Sequence, residues 1–178
     1  HYKQSLNHEP RRRRFLKTLY KACQSDQPIV YIDETGFAPS TCRQYAWAAR
    51  GQRVRGYQDA QQRPRTSLIG GYLNKKLIAP LLFTGTCNTV LFNAWLSQSL
   101  LPQLPEGSVI VLDNATFHRA QSSAKIVSNA KCRLLFLPPY SPHLNPIEKL
   151  WANIKRLWRY NSHLSLDELI CASNYLRE

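Results

Sequence analysis

Two short apolar runs, each closed by an aspartate, limit most sharply what this chain can fold into. Residues 28–33 read PIVYID and residues 108–113 read SVIVLD. Continuous apolar runs of this length, rich in β-branched residues, are the pattern of strands buried on both faces, inside a sheet that helices cover. Between them, residues 66–73 and 77–84 are strand-like and joined by Asn74, Lys75 and Lys76, which predicts a hairpin. Residues 88–101 then carry Val90, Leu91, Ala94, Trp95 and Leu100 at helical spacing, with Asn88 as N-cap and Pro102 as the stop. A helix before the second run lets that run return parallel to the first by a right-handed crossover. A weaker helix near 122–130 and a fifth strand at 132–137 follow. The order predicts an α/β fold: a mixed five-stranded sheet, three antiparallel strands first and then two parallel ones, flanked by helices. Asp33 and Asp113 would then close neighbouring strands at the carboxyl edge, where such sheets bind ligands.

A third acid enters from the next helix. Pro138, Pro139 and Pro142 mark an irregular loop, after which Asn145, Pro146 and Glu148 form a helix start, with Asn145 as N-cap and Glu148 as its capping-box partner. Ile147, Leu150, Trp151, Ile154 and Leu157 make the apolar stripe, and Lys149, Lys155, Arg156 and Arg159 the opposite side. A last helix opens on a second capping box, Ser165 to Glu168. Three converging carboxylates repel one another and are stable in ionised form mainly around cations, with Mg²⁺ the natural choice. Two such ions, about 4 Å apart, perform phosphoryl transfer by activating one oxygen and stabilising the departing one. Taken singly, each acid has a plainer reading, since strands commonly end in Asp and a Glu in the first helical turn often only caps. Glu34 competes with Asp33, because adjacent strand residues face opposite ways, and the pattern alone does not choose between them.

Charge indicates what such a site would act on. The chain carries 24 Lys and Arg against 11 Asp and Glu, a formal +13 that draws polyanions, nucleic acid first and an anionic membrane second. No apolar stretch approaches the roughly 20 residues of a membrane span, and no secretory signal follows the basic N-terminus. Residues 9–23 predict a basic amphipathic helix with Arg11, Arg12, Arg13 and Arg14 at its start, so residues 1–27 are expected to form a basic helical linker ahead of a domain at 28–178. A long insertion at about 41–65 gathers Arg43, Arg50, Arg53, Arg55, Arg63 and Arg65 with Tyr45, Trp47 and Tyr57, a mixture suited to DNA or a partner chain. Five widely spaced cysteines without a CxxC pair argue against a disulfide framework or a structural zinc site and fit a reducing cytoplasm. The sequence begins at His1 and contains no Met, so it is expected to be less than a complete translation product.

Three stretches, YIDETGF (31–37), VLDNATFH (111–118) and LPPYSPHLNPIEKLW (137–151), together resemble the bacterial insertion-sequence branch of the mariner superfamily of DDE transposases. Thirty-four residues separate Asp113 from Glu148, a spacing characteristic of that superfamily, and the resemblance runs from about residue 28 to about 160. It implies a ribonuclease H-like fold, and Asp33, Asp113 and Glu148 as the catalytic, metal-binding acids, holding two Mg²⁺ ions for which Mn²⁺ can substitute. It further implies cut-and-paste movement of an element flanked by inverted repeats, insertion at TA, and a homodimer on double-stranded DNA. The Arg-rich insertion becomes a clamp-like loop touching DNA or the second subunit.

Asn114 and His118 are expected to support the site, and Arg11 to Arg14, Arg50, Arg53, Arg55, Lys149, Lys155 and Arg156 to meet DNA. His143 stands where relatives often carry Asp. The helix-turn-helix units usual in the family have no place before Pro28, so they are expected to be removed or separately encoded. The expected location is the bacterial cytoplasm, associated with the nucleoid. Two other functions compete: a ribonuclease H-like nuclease or resolvase that cuts without joining, and a transposase-derived DNA-binding module that no longer reacts. The second is normally marked by a lost acid, and all three acids are present.

Overall fold

In a computed structural model of the chain, the described residues are 9–37, 48–52, 65–115, 118, 120–161 and 164–173. Chain order is helix α1 (Glu9–Gln24), strands β1 (Ile29–Phe37), β2 (Thr66–Leu73) and β3 (Lys76–Thr84), helix α2 (Thr89–Trp95), β4 (Val109–Leu112), α3 (Gln121–Asn129), β5 (Arg133–Phe136), α4 (Ile147–Tyr160) and α5 (Leu166–Ser173). The sheet runs β3-β2-β1-β4-β5. β1–β2 and β2–β3 are antiparallel, β1–β4 and β4–β5 parallel, as the order of apolar runs predicts.

β4 shows why the run SVIVLD becomes a central strand. Val109 and Val111 face one way into a core with Phe15 and Ala22 of α1 and Leu137. Ile110 and Leu112 face the other, into a core with Phe92 and Trp95 of α2, Leu96, Leu100 and Val127 of α3. Each such side chain withdrawn from water contributes about 1.5–3 kcal/mol. A third cluster joins Ile147, Leu150, Trp151 and Ile154 of α4 and Ile170 of α5 to Phe37, Leu68 and Leu77, and Tyr31 of β1 packs against both this cluster and that of α1. Helices therefore cover both faces, α2 and α3 on one, α1, α4 and α5 on the other. The segment expected as a linker holds α1, whose Phe15 and Ala22 are buried against the sheet.

Several local details differ from expectation. β1 continues four residues past Asp33, because Glu34 to Phe37 pair with β2. The hairpin turn is Asn74 and Lys75 alone, both at positive φ (49° and 64°), the two-residue geometry that matches strand twist; Lys76 already pairs with Leu73. Opposite Gly70 the β2–β3 register slips, where Ala79 and Pro80 face one residue in a bulge with Ala79 at φ 47°. Trp95 Nε1 donates to the Ala79 carbonyl at 2.8 Å, satisfying a group the bulge takes out of the ladder. Asn88 caps α2 as expected, accepting from Leu91 N at 2.9 Å, and the helix widens into a π-type turn at Leu96–Leu100.

The four described cysteines are free thiols. No helix among the described residues is long and apolar enough to cross a membrane.

Candidate active site

The parallel ladder Ile29–Val109, Val30–Ile110, Tyr31–Val111, continued by two residues, brings Asp33 level with Asp113. β4 ends at Leu112 and β1 runs on, so Asp33 lies within its own strand yet at the edge its parallel neighbour defines. The first turn of α4 adds Glu148. All three carboxylates line one cleft of about 430 Å³, together with Asn114, Ala115, Leu137, Asn145 and the loop from Pro138 to Pro142. Among the described residues no three His, Cys, Asp or Glu side chains stand close enough to enclose a single ion; the acids stand on the walls of an open groove.

Strand alternation separates Asp33 from Glu34. Asp33 faces α4, where Trp151 Nε1 donates to its Oδ2 at 3.1 Å. Glu34 faces the α2 side, where burial and its carboxylate push the Cys87 thiol up to about 12. Burial raises Asp33 from the ordinary 3.8 to about 7, opposed by a backbone hydrogen bond from Glu34, reinforced by the charges of Glu148 and Asp113, and opposed again by Trp151. Asp113 moves the other way. His118 Nδ1 lies 2.6 Å from its Oδ1 and holds the carboxyl below its usual range against the effect of burial, helped by the Ala115 amide at 3.0 Å. His118 is 3% exposed, its ring 4.4 Å from that of Phe92. Asn114 donates to the Leu137 carbonyl at 2.7 Å, tying the end of β4 to the end of β5.

The capping box expected at Asn145 and Glu148 does not close. The N-cap is Pro146, without a side-chain hydrogen bond, and Asn145 Oδ1 is buried with no partner. Glu148 is exposed towards the cleft. The second box does close: Ser165 N and Oγ donate to Glu168 Oε2 at 2.7 and 2.8 Å, and Glu168 N donates to Ser165 Oγ at 3.2 Å. One acid caps a helix start; the other faces the cleft.

Three site features are not evident from sequence. Trp151, expected in the core, reaches Asp33, and its spacing of three from Glu148 on one helix is the available signal. Tyr140, 76% exposed at φ 54°, stands on the cleft wall. Behind Glu148 a second hollow of about 380 Å³ is lined by Pro142, His143, Asn145, Pro146 and Lys149.

Of the residues expected to meet DNA, Arg11, Arg13, Arg14, Arg50, Lys149 and Arg156 are exposed and Arg12 and Lys155 half-buried. Of these, Lys149 borders the hollow beside Glu148. Arg53, Arg55 and Trp47 lie outside the described residues.

A five-stranded sheet in this order, with two acids level on adjoining strands and a third arriving on the following helix, is the ribonuclease H-like arrangement. The chain belongs to the DDE superfamily endonucleases, whose family model matches residues 28–170. Its fold is similar to the crystal structure of the catalytic domain of Mos1 mariner transposase, with a TM-score of 0.71 at 16% identity over 100% of this chain and 85% of that one. It is similar as well to the Mos1 transposase paired-end complex with left transposon end, with a TM-score of 0.77 at 19% identity over 100% of this chain and 57% of that one. In sequence it is 24% identical to the uncharacterized 39 kDa protein of insertion element IS630 from Shigella sonnei, over 80% of this chain and 43% of that protein. A shorter match, 39% identical over 54 residues, is to the uncharacterized protein y4pE/y4sA of Sinorhizobium fredii, over 30% of this chain and 38% of that protein. The chain spans less than half the length of these two relatives.

Proposed function

We propose that this chain is the catalytic domain, residues 28–178 with α1 packed against it, of an insertion-sequence transposase that cleaves DNA and joins the released end to a target. One observation carries the reading: Asp33, Asp113 and Glu148 share a cleft, and Glu148 reaches it by leaving open the capping box its sequence predicts. A purely structural acid at that position would be expected to close the box, as Glu168 does.

The donor set fits divalent metal. An all-carboxylate cluster suits Mg²⁺ or Mn²⁺ over softer ions, and the raised Asp33 is what a cation would relieve. Two solved Mos1 structures are described as complexes with Mg and with Mn. Asp33, Asp113 and Glu148 are the residues that would hold the ions, and bound metal would supply an activated attacking oxygen and a stabilised leaving oxygen. The chain's own contributions are to fix two carboxylates on a rigid sheet edge, to bring the third on α4, and to bind the phosphate backbone through its positive surface.

We assign backbone contact to Arg11 to Arg14, Arg50, Arg53, Arg55, Lys149, Lys155 and Arg156. Cut-and-paste movement with insertion at TA, pairing of two copies on DNA, end recognition by a helix-turn-helix region of a longer protein, and action at the bacterial nucleoid belong to the same proposal. The test is cleavage and joining of element-end DNA in Mg²⁺ or Mn²⁺. Asp113→Ala is expected to abolish both while retaining DNA binding. Undiminished cleavage by that variant overturns the assignment, and cleavage without joining by the unaltered chain replaces the transposase with a nuclease.

A further inference from the structure

Both strand aspartates are held in the same way. Asp33 Oδ2 accepts from Trp151 Nε1 at 3.1 Å, and Asp113 Oδ1 lies 2.6 Å from His118 Nδ1. Both donors are ring nitrogens of buried side chains, 2% and 3% exposed. They approach from opposite faces of the sheet: Trp151 belongs to the core beneath α4, and His118 rests on Phe92 of the core beneath α2. Because an ionised carboxylate only accepts, His118 must carry its proton on Nδ1 to make this bond.

Rotation about the last bond of an aspartate is broad and nearly two-fold, so an untethered carboxylate at a sheet edge offers either oxygen in a range of directions. A single N–H on a ring locked by packing removes that freedom. Asp113 Oδ1 is occupied by His118 and the Ala115 amide, which leaves Oδ2 as the oxygen able to face the cleft. On the Asp33 side the tether lies over β2. Gly70 is the cross-strand partner of Asp33, and a Cβ there would lie 3.4 Å from Trp151 Cη2 and 2.7 Å from Leu77 Cδ1. The indole thus lies at van der Waals distance over β2, and the close approach at Gly70 is that of the Leu77 side chain.

We propose that Trp151 and His118 are a matched pair of positioning residues, each fixing one oxygen of a strand aspartate so that the other is presented to a divalent ion. This rests on reading the acids as metal ligands. A bare need to satisfy the indole N–H would account for Trp151 alone; the same device on the second acid, from the opposite core, is what a shared role explains.

The test measures Mn²⁺ binding to the full chain by electron paramagnetic resonance, with melting in EDTA as the folding control. Trp151→Phe keeps the ring and removes the donor. His118→Asn places an amide N–H near Nδ1, whereas His118→Gln places it near Nε2. Removing partners of this kind lowers metal affinity roughly 10–100-fold, so Trp151→Phe and His118→Gln are expected to weaken Mn²⁺ by that factor while His118→Asn stays within about threefold of the unaltered chain. The double variant is expected to show the product of the single effects, because different acids are released. Ile154→Val, an apolar change within the α4 core that leaves both ring donors in place, controls for loosened packing.

Equal Mn²⁺ affinity in the Asn and Gln variants overturns the pairing. So does a weakening in Ile154→Val that matches Trp151→Phe at equal melting temperature. If the unaltered chain and Asp113→Ala bind Mn²⁺ alike, the metal reading itself fails. If only Asp113→Ala loses the ion, the metal reading stands and the positioning inference falls.

Discussion

Replacing Asp33 by Asn should stabilise the metal-free protein while destroying its metal site. The folded carboxyl titrates near 7 against 3.8 for an ordinary aspartate. Below pH 3.8 both the folded and unfolded forms are protonated and the site carries no penalty. As pH rises towards 7 the unfolded chain ionises first, and stability contributed by the raised carboxyl is progressively lost. Each pH unit between those values corresponds to about 1.4 kcal/mol, so the penalty saturates at about 4 kcal/mol above pH 7. Asn is neutral throughout and still accepts from Trp151 through its amide oxygen. In EDTA, Asp33→Asn should therefore melt higher at pH 8, by roughly 2–4 °C for each kcal/mol recovered, with under half that gain at pH 5. Calorimetric melts across pH 5–8.5 measure it. Saturating Mg²⁺ should raise the melting point of the unaltered chain and leave the variant unmoved. A gain that is absent at pH 8, or equal at pH 5 and pH 8, refutes the reasoning.

Neutralising Arg11 to Arg14 together should weaken DNA binding and lower the salt slope by about one for each phosphate no longer neutralised; an unchanged slope in a filter-binding titration identifies a solvated face. Ser165→Ala removes the reciprocal cap of α5 and should lower stability by about 1 kcal/mol in denaturant melts, with cleavage unaffected at temperatures where the variant is folded. Gly70→Ala places a Cβ 2.7 Å from Leu77 Cδ1 and in van der Waals contact with Trp151, so the Leu77 side chain must turn aside. It should destabilise by about 1 kcal/mol in denaturant melts, with Trp151 fluorescence little changed. A large change in fluorescence would place the indole closer to β2 than this contact allows.

The strands are legible where burial alone dictates them. PIVYID and SVIVLD need no partner to be identified, because only a covered sheet hides so many branched side chains. The extension of β1 through Glu34 to Phe37 is not legible, since a polar, glycine-containing stretch becomes a strand only when β2 supplies its hydrogen bonds. Register lies equally beyond composition, and register is what sets Asp33 beside Asp113 and turns Glu34 away. The two capping boxes make the limit plain. Asn145 to Glu148 and Ser165 to Glu168 carry the same signal three residues apart, yet only the second closes. Local chemistry permits both, and the surroundings decide. The family motifs supply the choice among acids that periodicity leaves open, while Trp151 is hidden by looking like any buried aromatic.

The bulge at Ala79 and Pro80 bears on how copies of this chain can meet. It lies on β3, an outer strand of the sheet, and Pro80 has no N–H to offer a neighbour. The opposite border, β5, is only four residues long. An unguarded border is a template for strand-by-strand growth and aggregation, and here both borders are blunted. Crowding on a polyanion, which a +13 chain invites, is thereby kept from nucleating a continuous sheet. Among the described residues, the longer faces left to a partner are those of the helices that cover the sheet.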